Sequence, residues 1–71
     1  MSEADKMFEE LGYEKREGET YDVFYSPLNE EGYVESISFD KKRKKIRVFN
    51  TVVLLEELKA IYKQCEDLGW I

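Results

Sequence analysis

Histidine is absent from this 71-residue chain, which has only one cysteine, one proline and four glycines. A single cysteine excludes an intramolecular disulfide and a zinc site made of several thiolates. Because no histidine is present to act as its base, Cys65 lacks the usual partner of a cysteine nucleophile. The glycines are isolated along the chain, which is typical of turns and helix ends and not of a phosphate-binding loop.

Long apolar runs are missing as well. No stretch approaches the roughly 18–20 apolar residues that cross a bilayer, so no membrane partner is expected. Residues 1–12 are acidic and lack the basic and apolar regions of a signal peptide, which predicts a cytoplasmic protein. The chain has room for one hydrophobic core, so a single domain over residues 1–71 is predicted.

Adjacent acidic residues, such as Glu9-Glu10 and Glu56-Glu57, do not form a predicted catalytic pair. Neighbouring residues of a helix point about 100° apart, so their carboxylates do not converge on one ligand. Cys65 falls on an apolar stripe, which favours a position in the core. Together these features predict a protein that is not an enzyme and that has no cofactor and no metal ion.

The net charge is −5, but the acidic and basic residues lie in different parts of the chain. Residues 1–35 carry eleven acids and three bases, or −8, whereas residues 40–47 carry six bases and one acid, or +5. Residues 48–71 carry four acids and two bases, or −2, which completes the sum. Because the overall charge repels a phosphate backbone at long range, any contact with nucleic acid has to be local.

Two segments have the apolar spacing of amphipathic helices. The first is Glu3–Leu11, with Ser2 as its N-cap and Gly12 as the left-handed residue after its end. The second is about Leu55–Leu68, which is also followed by a glycine and an aromatic residue. The apolar stripe predicted for the second helix consists of Leu55, Leu58, Ile61, Tyr62, Cys65 and Leu68.

Between the helices the apolar period changes to two, over residues 20–25, 36–39 and 46–49. A turn-rich segment over residues 28–32 separates the first two of these strands. Residues 13–17 are a candidate for a short extra edge strand. The order of elements predicts an α+β fold, α-β-β-β-α, with two layers in which both helices cover one face of a three-stranded antiparallel meander.

The sequence FDKKRKKIRVFN predicts a β-hairpin with a basic turn. If Phe39 lies opposite Ile46, then Ile37 lies opposite Val48, and both apolar pairs share one face of the sheet. This register leaves residues 41–44 as the turn. A solvated turn is favoured, because no aromatic residue lies within the basic run to stack on bases. The alternative is a site for nucleic acid or another anionic partner, formed by Lys41, Lys42, Arg43, Lys44, Lys45 and Arg47.

The strands predict one face covered by the helices and one open face. The strand residues expected beneath the helices are Tyr21, Val23, Tyr25, Ile37, Phe39, Ile46 and Val48. The residues of the whole chain expected to be largely buried include Phe8, Leu11, Ile37, Phe39, Val48, Leu58 and Ile61. The apolar residues left on the open face are Phe24, Val34 and Phe49. Because apolar side chains on a polar face are typical of contact surfaces, these three are the predicted protein-interaction residues.

Two segments near the ends of the chain, Met7–Lys15 and Glu57–Trp70, have the sequences MFEELGYEK and ELKAIYKQCEDLGW. With them the chain resembles small uncharacterised phage and prophage proteins of Gram-positive bacteria. The resemblance implies a phage accessory protein in the cytoplasm of a bacterial host, and it implies no functional residue. The chain departs from the family's pattern before the last helix, where Val53-Leu54 stands in place of a serine or threonine N-cap.

Two functions remain open at this point. The favoured one is a non-catalytic protein–protein interaction module that binds a phage or host protein or a second copy of itself. An anti-defence role, in which the carboxylates of the chain occupy the DNA site of a host enzyme, is one version of this function. The alternative is binding of nucleic acid or another anionic partner through the basic residues 41–47.

Overall fold

The computed structural model describes residues 2–28 and 31–71 and confirms the predicted two-layer α+β fold. Its elements are α1 (Glu3–Glu10), β1 (Glu14–Glu17), β2 (Tyr21–Tyr25), β3 (Ser36–Asp40), β4 (Lys45–Phe49) and α2 (Leu55–Asp67). The candidate edge strand is formed as β1, so the antiparallel sheet has four strands in the order β1-β2-β3-β4. The turn predicted over residues 28–32 lies partly outside the described residues.

Both helices end as their Leu-Gly-aromatic sequences predict. After α1, Gly12 adopts the left-handed conformation with φ +91°, which a residue without Cβ adopts at little cost. The N–H of Tyr13 then donates to the carbonyl of Phe8 at 2.9 Å. The same bond closes α2, from the N–H of Trp70 to the carbonyl of Cys65 at 2.9 Å. In each case a hydrogen bond of the Schellman type satisfies a carbonyl that the helix leaves unpaired.

The two helices begin differently. Ser2 caps α1 as predicted, because its Oγ accepts a hydrogen bond from the N–H of Asp5 at 3.1 Å. Leu54 precedes α2 and has no side-chain acceptor for the N–H groups of the first turn. Only the reciprocal bond of a capping box is made, in which Glu57 Oε1 accepts the N–H of Leu54 at 3.1 Å. The other oxygen of Glu57 accepts a hydrogen bond from the hydroxyl of Tyr13. One buried carboxylate therefore stabilises the start of α2 and connects it to the end of α1.

Aromatic side chains form the centre of the core. Phe8 of α1 stacks on Phe24 of β2 with ring centroids 3.9 Å apart, and Phe39 of β3 meets both rings edge-on. Trp70, just after α2, contacts Phe39 with a centroid distance of 6.2 Å. Each fully buried large apolar side chain contributes about 1.5–3 kcal/mol. Because Phe24 and Phe39 are contacted from α1 and from the end of α2, both helices lie on one face of the sheet, as predicted.

The hairpin formed by β3 and β4 has the predicted register. Phe39 lies opposite Ile46, Ile37 lies opposite Val48, and residues 41–44 form the turn. Residues directly opposite each other in an antiparallel pair point to the same face, so these four apolar side chains share the side of the sheet that carries the helices.

The predicted orientation of β2 is wrong. Phe24, expected on the open face, is 1% exposed and lies opposite Ile37 on the helix-covered face. Tyr21, Val23 and Tyr25, expected beneath the helices, lie on the open face instead. Both alternating sets of this strand contain aromatic residues, so a period of two does not show which set is buried. The stacking of Phe24 on α1 decides it.

Three of the predicted core residues are exposed, namely Leu11, Val48 and Leu58. The physical reason for Val48 is the width of the sheet, and that for Leu58 is the rotation of α2 about its axis. Both helices pack over the strands from β1 to β3, whereas every residue of β4 is exposed. The other predicted core residues are buried as expected: Phe8, Ile37, Phe39 and Ile61.

Candidate functional surfaces

Reactive side chains do not gather into one site in the part of the chain that the structure describes. Among residues 2–28 and 31–71, no group of three or more His, Cys, Asp or Glu side chains is arranged to hold a metal ion. No helix within the same ranges is long and apolar enough to cross a bilayer. Burial raises the pKa of the Cys65 thiol, which disfavours its reactive thiolate form.

The basic residues of the β3–β4 turn are divided between paired and exposed side chains. Lys41 Nζ lies 3.0 Å from Oδ1 of Asp22 and also donates a hydrogen bond to the carbonyl of Gly18. Arg43 Nη1 lies 3.2 Å from Oδ2 of Asp40. Two of the six side chains predicted to bind an anionic partner are thus paired with carboxylates of this chain.

Asp22 is buried on the helix-covered face, where an isolated carboxylate would be unstable. Lys41 compensates its charge, and Gln64 of α2 donates a hydrogen bond from Nε2 to Oδ2 at 3.3 Å. Leaving a buried carboxylate without partners costs several kcal/mol. Lys41 therefore has a structural role, which its place in a basic run did not indicate.

Asp40 organises the turn that follows it. Its Oδ1 accepts hydrogen bonds from the backbone N–H groups of Lys42 and Arg43 at 3.1 and 3.0 Å. Burial acts to raise the pKa of Asp40, but these bonds and the Arg43 guanidinium together hold it below its usual value. The same contact raises the pKa of Arg43. The turn is preorganised, and Lys42 and Lys44 within it and Lys45 at the start of β4 are exposed to solvent.

The open face of the sheet carries both aromatic and basic side chains. Tyr21, Tyr25 and Phe49 share this face with Lys45 and Arg47. A shallow concavity of about 290 Å³ near the turn is lined by Tyr21, Val23, Ser38, Asp40, Lys45 and Arg47. Cations and flat ring surfaces therefore lie next to each other on this face.

The three predicted interaction residues do not form one surface. Phe49 is 57% exposed on the open face, as predicted. Val34 is exposed but precedes β3 and lies outside the strands. Phe24 is buried in the core.

A larger exposed apolar surface lies on the other side of the sheet. Leu58 and Tyr62 of α2 are 53% and 59% exposed, and Ile46 and Val48 of β4 are 41% and 38% exposed. Leu55, three residues before Leu58 on the same helix, is 64% exposed. We call this set the α2–β4 surface: Ile46, Val48, Leu55, Leu58 and Tyr62.

The contacts of α1 show which way the exposed flank of α2 points. Lys63 Nζ lies 3.4 Å from Glu3 Oε2, and the N–H of Ala4 donates to Asp67 Oδ2 at 3.4 Å. At about 100° per residue, Leu58 stands about 180° from Asp67 around the helix, so it points away from α1. Because α1 packs on β1 and β2, the exposed flank of α2 faces the β4 side of the sheet.

Polar contacts explain why the apolar stripe of α2 is only partly buried. Glu57 and Gln64 point inward, where they bond to Tyr13 and Asp22. These two bonds fix the rotation of α2 about its axis and leave Leu58 with its neighbours on the outer flank. The sequence partly indicated this partial burial. The apolar stripe predicted for α2 is wide, and polar residues border it whose side chains also have to be accommodated in the fold. The sequence did not indicate which partners Glu57 and Gln64 would find.

Comparisons with known proteins return no match to this chain among protein-family models, curated proteins or solved structures. The basic turn, the open face and the α2–β4 surface are the three candidate surfaces. Of these, the α2–β4 surface carries the largest number of exposed apolar side chains.

Proposed function

We propose that this protein is a non-catalytic protein-interaction module whose contact surface is the α2–β4 surface. The observation that carries the proposal is the exposure of large apolar residues along one flank of α2 and one edge of the sheet. Monomeric soluble domains rarely expose contiguous apolar patches larger than a few hundred Å² unless a partner covers them. The proposal keeps the predicted class of function and moves the site away from Phe24, Val34 and Phe49.

The surface offers two kinds of contact at once. Leu55, Leu58 and Tyr62 follow the i, i+3, i+7 spacing by which a helix inserts anchors into a partner. Tyrosine is also among the residue types that dominate binding energy at interfaces. Beside these anchors, Ile46 and Val48 lie on an edge strand, which can extend its sheet with a strand from another chain.

The chemistry of the surface defines the class of partner. The partner has to present a complementary apolar face, because the charged residues of α2 lie mainly on its other flanks. The resemblance to phage and prophage proteins supports a phage or host protein in the bacterial cytoplasm as the partner. In the anti-defence version, the acidic residues 1–35 would supply the carboxylates that occupy a host enzyme's DNA site.

Affinity capture with matched variants tests the proposal. We would immobilise the wild type, Leu58→Lys and Leu28→Lys and expose each to an untagged copy of the chain and to a bacterial lysate. Leu28 is 69% exposed in the connection between β2 and β3, so both variants add the same charge at different places. We expect the wild type and Leu28→Lys to retain a protein that Leu58→Lys loses. Identical capture by all three, with unchanged circular dichroism, would contradict the proposal.

A second candidate function is binding of single-stranded nucleic acid or another anion on the open face. The observation in its favour is that Lys45 and Arg47 lie beside Tyr21, Tyr25 and Phe49, since cations and stacking rings are what single-strand binders combine. The net charge of −5 opposes it at long range, and two cations of the turn are already paired with carboxylates. It therefore ranks second.

A further inference from the structure

We propose that the partner covering the α2–β4 surface is a second copy of this chain, joined to the first by antiparallel pairing of their β4 strands. The inference rests on the proposed function and names its partner. It is carried by the state of the two sheet edges, by the direction of the backbone groups of β4, by its charges and by the area exposed.

The two edges of the sheet differ in their readiness to pair. Every residue of β1 is charged and exposed, and charged side chains on an edge strand discourage pairing with another chain. β4 has the sequence KIRVF, with three apolar residues among five, and all five are exposed. No further strand lies beside it in the described part of the chain. β4 is therefore the edge that is open to a second strand.

The backbone groups of β4 that point outward belong to its apolar positions. Lys41 donates from its N–H to the carbonyl of Thr20 at 2.8 Å, so the odd-numbered residues of β3 bond to β2. The even-numbered residues of β3 then bond to β4, where they lie opposite residues 45, 47 and 49. Ile46 and Val48 consequently direct their N–H and C=O groups away from the sheet, toward any neighbouring strand.

Charge selects one register for a symmetric pair of β4 strands. If Ile46 lies opposite Val48 of the second copy, the two Arg47 side chains face each other. If Ile46 lies opposite itself, Lys45 faces Arg47. Both arrangements oppose like charges, which destabilises a strand pair. If Val48 lies opposite itself, Arg47 faces the exposed ring of Phe49, where a cation–π contact is available. The twofold axis therefore passes by Val48.

The exposed apolar area reaches the lower bound for a specific dimer. In this register the α2 helices of the two copies face each other above the joined sheet, so Leu58 and Tyr62 are covered together with Ile46 and Val48. With about 200 Å² for a fully exposed large side chain, the exposed fractions of the α2–β4 surface amount to roughly 500 Å² per copy. A specific interface buries at least about 1,000 Å² in total over the two partners.

The first experiment measures mass in solution. Light scattering after size exclusion, at about 1 to 100 µM, covers the weak end of the affinities found for interfaces of this size. We expect the wild type and Leu28→Lys to have the mass of two chains of 8.5 kDa, or 17 kDa, and Val48→Lys to have that of one. Val48 points its N–H outward and lies at the edge, so circular dichroism of this variant should remain that of the folded chain. A wild type of 8.5 kDa throughout this range overturns the dimer.

The second experiment tests the register by disulfide formation, with Cys65→Ala as the background. A hydrogen-bonded antiparallel pair has Cα atoms about 5.5 Å apart, which is within the range that a disulfide spans. We expect Val48→Cys to form a covalent dimer on mild oxidation, and Ile46→Cys and Leu28→Cys to form little. Cross-linking at position 46 that equals or exceeds that at 48 overturns the proposed register, and so does the absence of cross-linking at 48.

The two proposals fail in different ways. If the wild type is a monomer and captures a lysate protein that Leu58→Lys does not capture, the proposed dimer is wrong and the interaction module stands. If the wild type is a monomer and capture does not depend on Leu58, both proposals are wrong.

Discussion

The β1 side and the β4 side of the sheet carry apolar residues on the same face but differ in what covers them. On the β1 side, Phe24 lies beneath Phe8 of α1, and the edge strand is charged throughout. On the β4 side, Ile46 and Val48 are exposed, and the edge strand is partly apolar. Two helices do not cover four strands here. The side left uncovered is the one that the fold makes available to a partner.

The rotation of α2 accounts for this difference. Glu57 and Gln64 of this helix point inward and form hydrogen bonds with Tyr13 and Asp22, respectively. Tyr13 and Asp22 lie on the side of the sheet formed by β1 and β2. The helix is therefore fixed by polar bonds on one side, and its apolar flank is left for the other side. Burying polar groups is favourable only when they are hydrogen-bonded, so these bonds determine which apolar residues remain outside.

The largest effect is expected from the phenylalanine beneath α1. Phe24→Ala removes a ring stacked on Phe8 and should reduce the free energy of unfolding by about 3–5 kcal/mol. Phe49→Ala is the matched change on the β4 side, and in the monomeric Val48→Lys background it should cost less than about 1 kcal/mol. Urea denaturation followed by circular dichroism measures both. Equal losses would mean that Phe24 and Phe49 are equally well packed, which contradicts a covered β1 side and an uncovered β4 side.

A smaller effect is expected from the lysine that pairs with Asp22. Lys41→Met leaves a buried carboxylate with Gln64 as its remaining partner among the contacts described, and it should reduce the free energy of unfolding by about 2 kcal/mol. Lys44→Met makes the same chemical change at an exposed position and should stay within about 0.5 kcal/mol of the wild type. Similar unfolding midpoints for the two variants in urea would show that Lys41 is a solvated turn residue after all.

Tyr13→Phe removes the hydroxyl that donates to Glu57 and should cost about 1 kcal/mol at neutral pH. Burial, with the hydrogen bond and charge of Glu57, raises the pKa of Tyr13 above its usual 10.0. The folded state therefore favours the protonated phenol, and this stability is present below pH 10 and is lost as the pH rises further. Urea denaturation at about pH 9 to 11 should show a steeper loss for the wild type than for the variant. If the wild type and Tyr13→Phe lose stability equally as the pH rises, the hydrogen bond from Tyr13 to Glu57 does not stabilise the folded state.

The fold followed from the sequence more fully than the candidate site did. The helix ends depended on local residues such as Gly12 and Ser2, and the hairpin register on the apolar pairs either side of a basic run, so periodicity and turn chemistry were sufficient. The burial of Phe24 and the exposure of Leu58 depended on which side of an element met another element. The stacking of Phe24 on Phe8 decided the first outcome. The second was decided by bonds between residues more than forty positions apart, such as Tyr13 to Glu57, and no local pattern contains either contact.

The smallest effect is expected for the binding of nucleic acid by the exposed basic residues of the turn and of β4. With Lys42, Lys44, Lys45 and Arg47 as the exposed cations, single-stranded DNA should bind no more tightly than the roughly 10⁻⁴–10⁻⁶ M of non-specific contacts. Any binding should weaken with salt at a log–log slope no steeper than about −3. A fluorescence titration of the wild type and a Lys45→Ser/Arg47→Ser variant measures it, with Lys59→Ser as control. Sub-micromolar affinity that only the double variant loses would move the function to the open face.

Amide hydrogen exchange, read residue by residue by NMR, tests the comparison of the two edges most directly. On β1, the N–H of Gly18 donates to the carbonyl of Tyr21, so Lys15 and Glu17 direct their N–H groups outward, as Ile46 and Val48 do on β4. We predict slow exchange at Ile46 and Val48 that becomes faster on dilution, and fast exchange at Lys15 and Glu17 at every concentration. Exchange at Ile46 and Val48 as fast as at Lys15 and Glu17 under all conditions would contradict a covered β4 edge.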